Sequence, residues 1–132
     1  AEAERARLRG EVEPLRLAQF RAHLARLVAS PDGLRERLCL FWADHFTVEA
    51  KTIVGRVLVE PFLREAVRPH VAGRFADMLA AAVLHPAMLT YLDQVRSVGP
   101  GSRGGRQGGR GLNENLAREL LELHTVGVGA PY

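Results

Sequence analysis

The chain has 132 residues, enough for one domain or a piece of one. Apolar residues make up 47% and charged residues 25%, the balance of a soluble globular protein, and no apolar run approaches the roughly 18 residues that cross a bilayer. The net charge of +3 is concentrated: Arg96, Arg103, Arg106 and Arg110 stand between Arg96 and Gly111 without an acid among them, so the rest of the chain carries a net −1.

Ala1 to Arg9 is charged and helix-prone and is closed by Gly10. Pro14 to Ala29 places Leu17, Phe20, Leu24, Leu27 and Val28 at the spacing of a one-sided helical stripe. Ser30 before Pro31 predicts an N-cap followed by proline at the first helical position. The helix that follows is expected to run to about Phe46, with Leu34, Leu38, Phe41 and His45 on one face and Trp42 at its edge. Cys39, among Leu38, Leu40 and Phe41, reads as a small buried hydrophobe. As the only cysteine, it excludes an internal disulfide framework and a cysteine-based zinc knuckle.

Thr47 to Pro69 is ambiguous. Ile53, Val54, Val57 and Val59 allow a strand, whereas Val54, Leu58 and Phe62 fit a helical stripe, and helix is the favoured reading. Gly73 to Leu84 is a clear amphipathic helix with Phe75, Met78, Leu79, Ala82 and Val83 facing inward. His85 precedes Pro86 and is therefore biased away from helical angles. A new helix starts at Pro86 and carries Met88, Leu89, Tyr91, Leu92 and Val95. Residues 97–111 read as a flexible Gly/Arg-rich loop, and a last helix covers Leu112 to Thr125. The expected fold is all-α, with five to six helices forming part of a larger helical domain. Residues 1–132 form a single helical region. With no initiator Met and no signal-like apolar segment near Ala1, the chain reads as a fragment of that domain.

The last helix is the densest in chemistry. Asn113 is the expected N-cap, and at about 100° per residue Asn115, Arg118, Glu119 and Glu122 share one stripe. Leu116, Leu120 and Leu123 flank it on one side, Ala117 and Leu121 on the other. Two readings stand. The stripe is a solvent face laced by Arg118–Glu122 and Asn115–Glu119 pairs, or it is a thin polar wedge facing a cavity. His45, next to Asp44, is a satisfied core histidine or a member of the same site. His85, at a helix junction, and Asp93 form a third candidate group. No His-x-x-x-His or Glu-x-x-His pair occurs, and the two-residue spacing of Glu122 and His124 splays their side chains on a helix. A metal would need ligands from different helices, so metal and cofactor stay open. The segment Gly99 to Gly111 looks like an arginine–glycine element that binds nucleic acid, yet it has no aromatic for base stacking. A surface loop, or an anion held near the start of the last helix, accounts for it as well.

These residues together resemble one family. Leu40-Phe41-Trp42-Ala43-Asp44-His45-Phe46, Arg68-Pro69-His70, Gly73-Arg74-Phe75, His85-Pro86-Ala87-Met88-Leu89, Tyr91-Leu92-Asp93, Ser97-Val98-Gly99-Pro100 and the block from Leu112 to Gly127 are similar to the large bacterial family called domain of unknown function 1800 (DUF 1800). The resemblance covers nearly the whole chain in the family's order. It implies a longer protein, with a helical region before Ala1 and a segment after Tyr132. Two departures are visible. Asp44-His45-Phe46 stands where the family often has Asn-His-Phe, and Asp93-Gln94 where it often has Asp-Asn. No established reaction comes with the family. Its members are often predicted to be exported and are often encoded beside a sulfatase-like exported family, which implies a periplasmic or envelope setting and a protein partner.

Three functions follow. The first is an envelope-associated helical protein that works with a partner. The second is a hydrolase-like enzyme, with Glu119 or Glu122 as general base, His45 or His85 as acid or ligand, and Arg118 and Asn115 as substrate clamps; Asn113, Asp93 and His85 are further substrate contacts. The third is nucleic-acid or anion binding through the Gly/Arg segment, which the net −1 of the remaining chain disfavours.

Overall fold

A computed structural model describes residues 2–108 and 111–131. Ala1, Tyr132 and, from the Gly/Arg segment, Gly109 and Arg110 lie outside the described residues. Among the described residues there are seven α-helices and no strand, so the fold is all-α.

The first helix, α1 (Glu2–Ala29), runs without interruption through Gly10 and Pro14, where the sequence predicted a stop. Pro14 withholds one N–H from the carbonyl of Gly10. Both residues are exposed, which leaves that carbonyl open to solvent. The exposed Arg7–Glu4, Arg7–Glu11 and Arg16–Glu13 pairs lie along the same helix and add tenths of a kcal/mol each.

Helix α2 (Gly33–His45) begins two residues later than Ser30-Pro31 predicts. Asp32 is the cap and accepts from the Arg35 amide at 3.0 Å, while Ser30 Oγ accepts from the Asp32 amide. Its inward face also differs from expectation. Leu34, Leu38 and Phe41 are exposed, and the residues it buries are Glu36 and Cys39. Glu36 is accommodated because Arg68 meets it with two hydrogen bonds, at 2.8 and 2.6 Å. Arg35 Nη2 donates to the Arg68 carbonyl at 2.9 Å from the same side.

Residues 54–70 are helical, as favoured, but in four short pieces. A 3₁₀ turn (Val54–Val57) leads into α3 (Val59–Phe62), then a π turn (Leu63–Val67) and a second 3₁₀ turn (Arg68–His70). Pro69 cannot donate to the carbonyl four residues back, and the widened winding just before it accommodates the missing bond. Next come α4 (Phe75–Leu84) and α5 (Pro86–Tyr91), separated only by His85, whose φ of −70° and ψ of 139° are extended as the proline requires.

The core gathers Phe46 from the end of α2, Phe62, Ala66 and Val67, Met78 and Ala82 of α4, and Ala87 and Met88 of α5. Leu116 of the last helix packs against it. The Gly/Arg stretch is not loop throughout, because Arg103–Gly108 winds into the short helix α6. Ser102 starts it, with its Oγ accepting from the Gly105 amide. Gly105 is required there, since a Cβ would run into the carbonyls of Gly99 and Pro100. The last helix, α7, covers Asn115–Glu122, shorter at both ends than predicted.

Candidate functional site

The segment before α7 is fixed by Asn113. Its amide donates to Ser97 Oγ at 2.9 Å, its Oδ1 accepts from the Asn115 amide at 3.0 Å, and its Nδ2 reaches the Asp93 carbonyl at 3.4 Å. Asn113 therefore ties the 93–97 turn to the start of α7. The helix cap itself falls at Glu114, without a side-chain bond.

Along the predicted stripe, Arg118 Nη2 donates to Asn115 Oδ1 at 3.2 Å, a pair three residues apart. Arg118 is exposed, whereas Asn115, Glu119 and Glu122 are half-buried.

His45 lies across from the end of α7. Its ring meets Trp42 and Phe46 edge-on, at centroid distances of 5.3 and 4.7 Å, and approaches the His124 ring at 5.6 Å. His45 Nε2 is 3.3 Å from the His124 carbonyl oxygen. Phe75 of α4 completes this nest, stacked on Phe46.

His124, which its two-residue spacing from Glu122 had set aside, is the most buried of these groups. Its residue is 6% exposed, and its Nδ1 is buried without a hydrogen-bond partner. Burial first, then the neighbouring His45, holds its pKa below the ordinary histidine value, while Glu119 acts in the opposite direction. The chain brings it inward because α7 widens at its end, where the His124 amide donates to the Glu119 carbonyl five residues back. The chain then reverses at Gly127, whose φ of 92° suits glycine alone. That glycine is the one sequence signal for the inward turn.

The other predicted residues stand apart from this nest. His85 Nδ1 accepts from the Ala87 amide at 3.1 Å and so caps α5. Its Nε2 lies 3.6 Å from Glu65 Oε2, and its ring meets Phe62 edge-on. Arg64, above all, holds the Glu65 carboxyl below its ordinary value. Asp93 takes a left-handed conformation, φ 58°, just past the end of α5, and its carboxylate pairs with Arg96 at 3.3 Å. The structure thus brings together His45 with His124, His85 with Glu65, Asn113 with the Asp93 carbonyl, and Arg118 with Asn115; Glu119 meets His124 through its backbone carbonyl. Among the described residues, no three His, Cys, Asp or Glu side chains come together as a metal set.

One polar group has no sequence signal. Glu60 of α3, only 14% exposed at its side chain, is held by His23 Nδ1 and Arg26 Nη1 of α1, each at 3.2 Å. The partners are more than 30 residues apart in the chain, and neither lies in a motif.

A family profile described as protein of unknown function (DUF1800) matches residues 4–132. No curated protein and no solved structure matches the chain.

Proposed function

The chain belongs to the DUF1800 family, and from that premise we propose that it is a helical docking element of an envelope protein that works through a protein partner. One observation carries this reading. The apolar stripes of both long helices face outward: Leu17, Phe20, Leu24 and Val28 on α1 and Leu34, Leu38 and Phe41 on α2 are all more than a third exposed, with Val28 at 88% and Leu34 at 70%. Single exposed apolar residues are ordinary, but ordered rows of them mark surfaces that another chain covers. The partner that fits the family's setting is a sulfatase-like exported protein.

The test is co-purification of the full-length protein with that neighbour from native envelopes, comparing wild type with Leu34→Ser/Phe41→Ser. The expected result is loss of the partner at an unchanged Tm, since substitutions at exposed positions stay within about 0.5 kcal/mol. Association that survives the double substitution, or no association in the wild type, refutes the reading.

A hydrolase-like reading draws on a different observation, the contact of His45 with His124 and the field of Glu119 on that histidine. For it, Glu119→Gln removes turnover and leaves Tm unchanged; a large fall in Tm makes Glu119 structural.

A further inference from the structure

A cleft of about 520 Å³ opens between α1 and residues 50–63. Its size falls in the range of small-molecule sites, roughly 300–1,000 Å³. Phe20, Ala50, Val59 and Leu63 give it apolar walls.

Its charged groups form two sets. In the first, Arg16 Nε and Arg56 Nη1 both donate to the Glu13 carboxylate, at 2.9 and 2.8 Å. Two guanidiniums share one carboxylate, which leaves one positive charge uncompensated. Both arginines are about half exposed, at 48% and 47%. Each uses a single nitrogen on Glu13 and keeps further N–H groups in its fork. In the second set, Glu60 is clamped between His23 and Arg26, so that end offers no negative charge to a ligand. A cationic ligand would meet Arg16 and Arg56 with nothing to balance it. A small inorganic anion would leave the apolar walls in water.

We infer that this cleft binds an amphipathic anion, an alkyl or aryl body ending in one carboxylate or phosphate group. The body lies against Phe20, Val59 and Leu63, where each methylene removed from water is worth about 0.8 kcal/mol. The oxyanion takes charge-assisted hydrogen bonds from Arg16 and Arg56. A carboxylate and a phosphate monoester share this chemistry. The cleft shares Phe20 with the α1 stripe of the proposed docking face, but the test of that face alters only Leu34 and Phe41 of α2, so failure of one reading is distinguishable from failure of the other.

The experiment is calorimetric titration of the full-length protein with decanoate, decyl phosphate and decanol, each below its micellar concentration. At least one anion binds saturably at one site per chain, and decanol binds about tenfold more weakly, the equivalent of one charge-assisted bond. Tighter binding of decanoate assigns a free carboxylate, and tighter binding of decyl phosphate assigns a phosphate head. Arg56→Gln weakens the anion about tenfold and leaves decanol unchanged, and Ala50→Trp, which fills the cleft, removes both. Should Ala50→Trp lower Tm, Arg16→Gln replaces it, with the same selective loss of the anion expected. No saturable binding of either anion overturns the inference. So does decanol binding as tightly as the anions, or anion affinity indifferent to both arginine substitutions.

Discussion

Arg68→Met removes one half of an ion pair whose other half is largely shielded from water. The Glu36 side chain is 7% exposed and the Arg68 side chain 20%, and two short bonds join them. Deleting one partner of such a pair typically costs 3–5 kcal/mol, because the charge left behind is uncompensated. Two features bring the value here to about 2–3 kcal/mol. The Ser30 hydroxyl and the field of Arg26 also favour the Glu36 carboxylate. The Arg35 bond to the Arg68 carbonyl survives, since it uses backbone. A loss of this size lowers Tm by about 10 °C at this chain length. The pH dependence gives a sharper test. In the native protein the Arg68 hydrogen bonds hold the Glu36 carboxyl below its ordinary value of 4.5 against the opposing effect of burial. The pair therefore contributes fully above pH 4.5, and its contribution is lost as pH falls through the lower folded value. Without Arg68, burial is opposed only by Ser30 and the field of Arg26, so the carboxyl moves up from its folded value and the pair's contribution at neutral pH is lost. The stability gap between the two proteins is then widest at neutral pH and narrows in acid. Urea unfolding followed by far-UV circular dichroism across that range measures it. A gap below about 1 kcal/mol at neutral pH, or one that stays constant into acid, refutes the reasoning.

His124→Met keeps an apolar side chain in the aromatic nest and removes a buried group whose protonation is disfavoured. Because the folded pKa of His124 lies below its ordinary value of 6.5, the native protein loses stability as pH falls through 6.5 towards the folded value. The variant's Tm should decline less over that range, and parallel Tm–pH curves would count against the burial argument. Asp93→Gly should raise stability by up to about 1–2 kcal/mol, the cost of holding a non-glycine residue in the left-handed region, less the tenths contributed by the exposed Arg96 pair. An unchanged or lower midpoint in urea would show that the Asp93 side chain does more than end α5.

The helices themselves were legible, and the reason is local. Phe75–Leu84 and Pro86–Tyr91 carry a 3.6-residue pattern, and His85–Pro86 marks their junction. Residues 54–70, open to a strand reading, are helical because Val54, Leu58 and Phe62 keep that period. What was not legible is which side of a helix its neighbours cover. A stripe gives an angle around the axis, not the element opposite it. On α2 the stripe of Leu34, Leu38 and Phe41 is the exposed one, because Arg68, 32 residues away, neutralises Glu36 and lets that side turn inward. The break expected at Gly10 is absent for a related reason: Gly10 and Pro14 stop helices on average, but exposed positions within a 28-residue helix tolerate them. His124 was missed because helical spacing stops applying where α7 ends, and the turn at Gly127 then decides its direction.

The candidate residues show how a polar motif can serve the backbone. Asn113 spends three groups on joining the 93–97 turn to α7. His85 spends its Nδ1 on the first turn of α5, and Asp93 supplies the conformation that ends that helix. Each lies where the chain changes direction, and changes of direction leave amides and carbonyls that need partners. A resemblance rich in Asn, His and Asp therefore reports joints as readily as chemistry. Binding groups, in contrast, need unspent donors within reach of a ligand. Among the described residues that condition is met at Arg16 and Arg56, which share Glu13 beside an apolar cleft, in a part of the chain that no motif singles out.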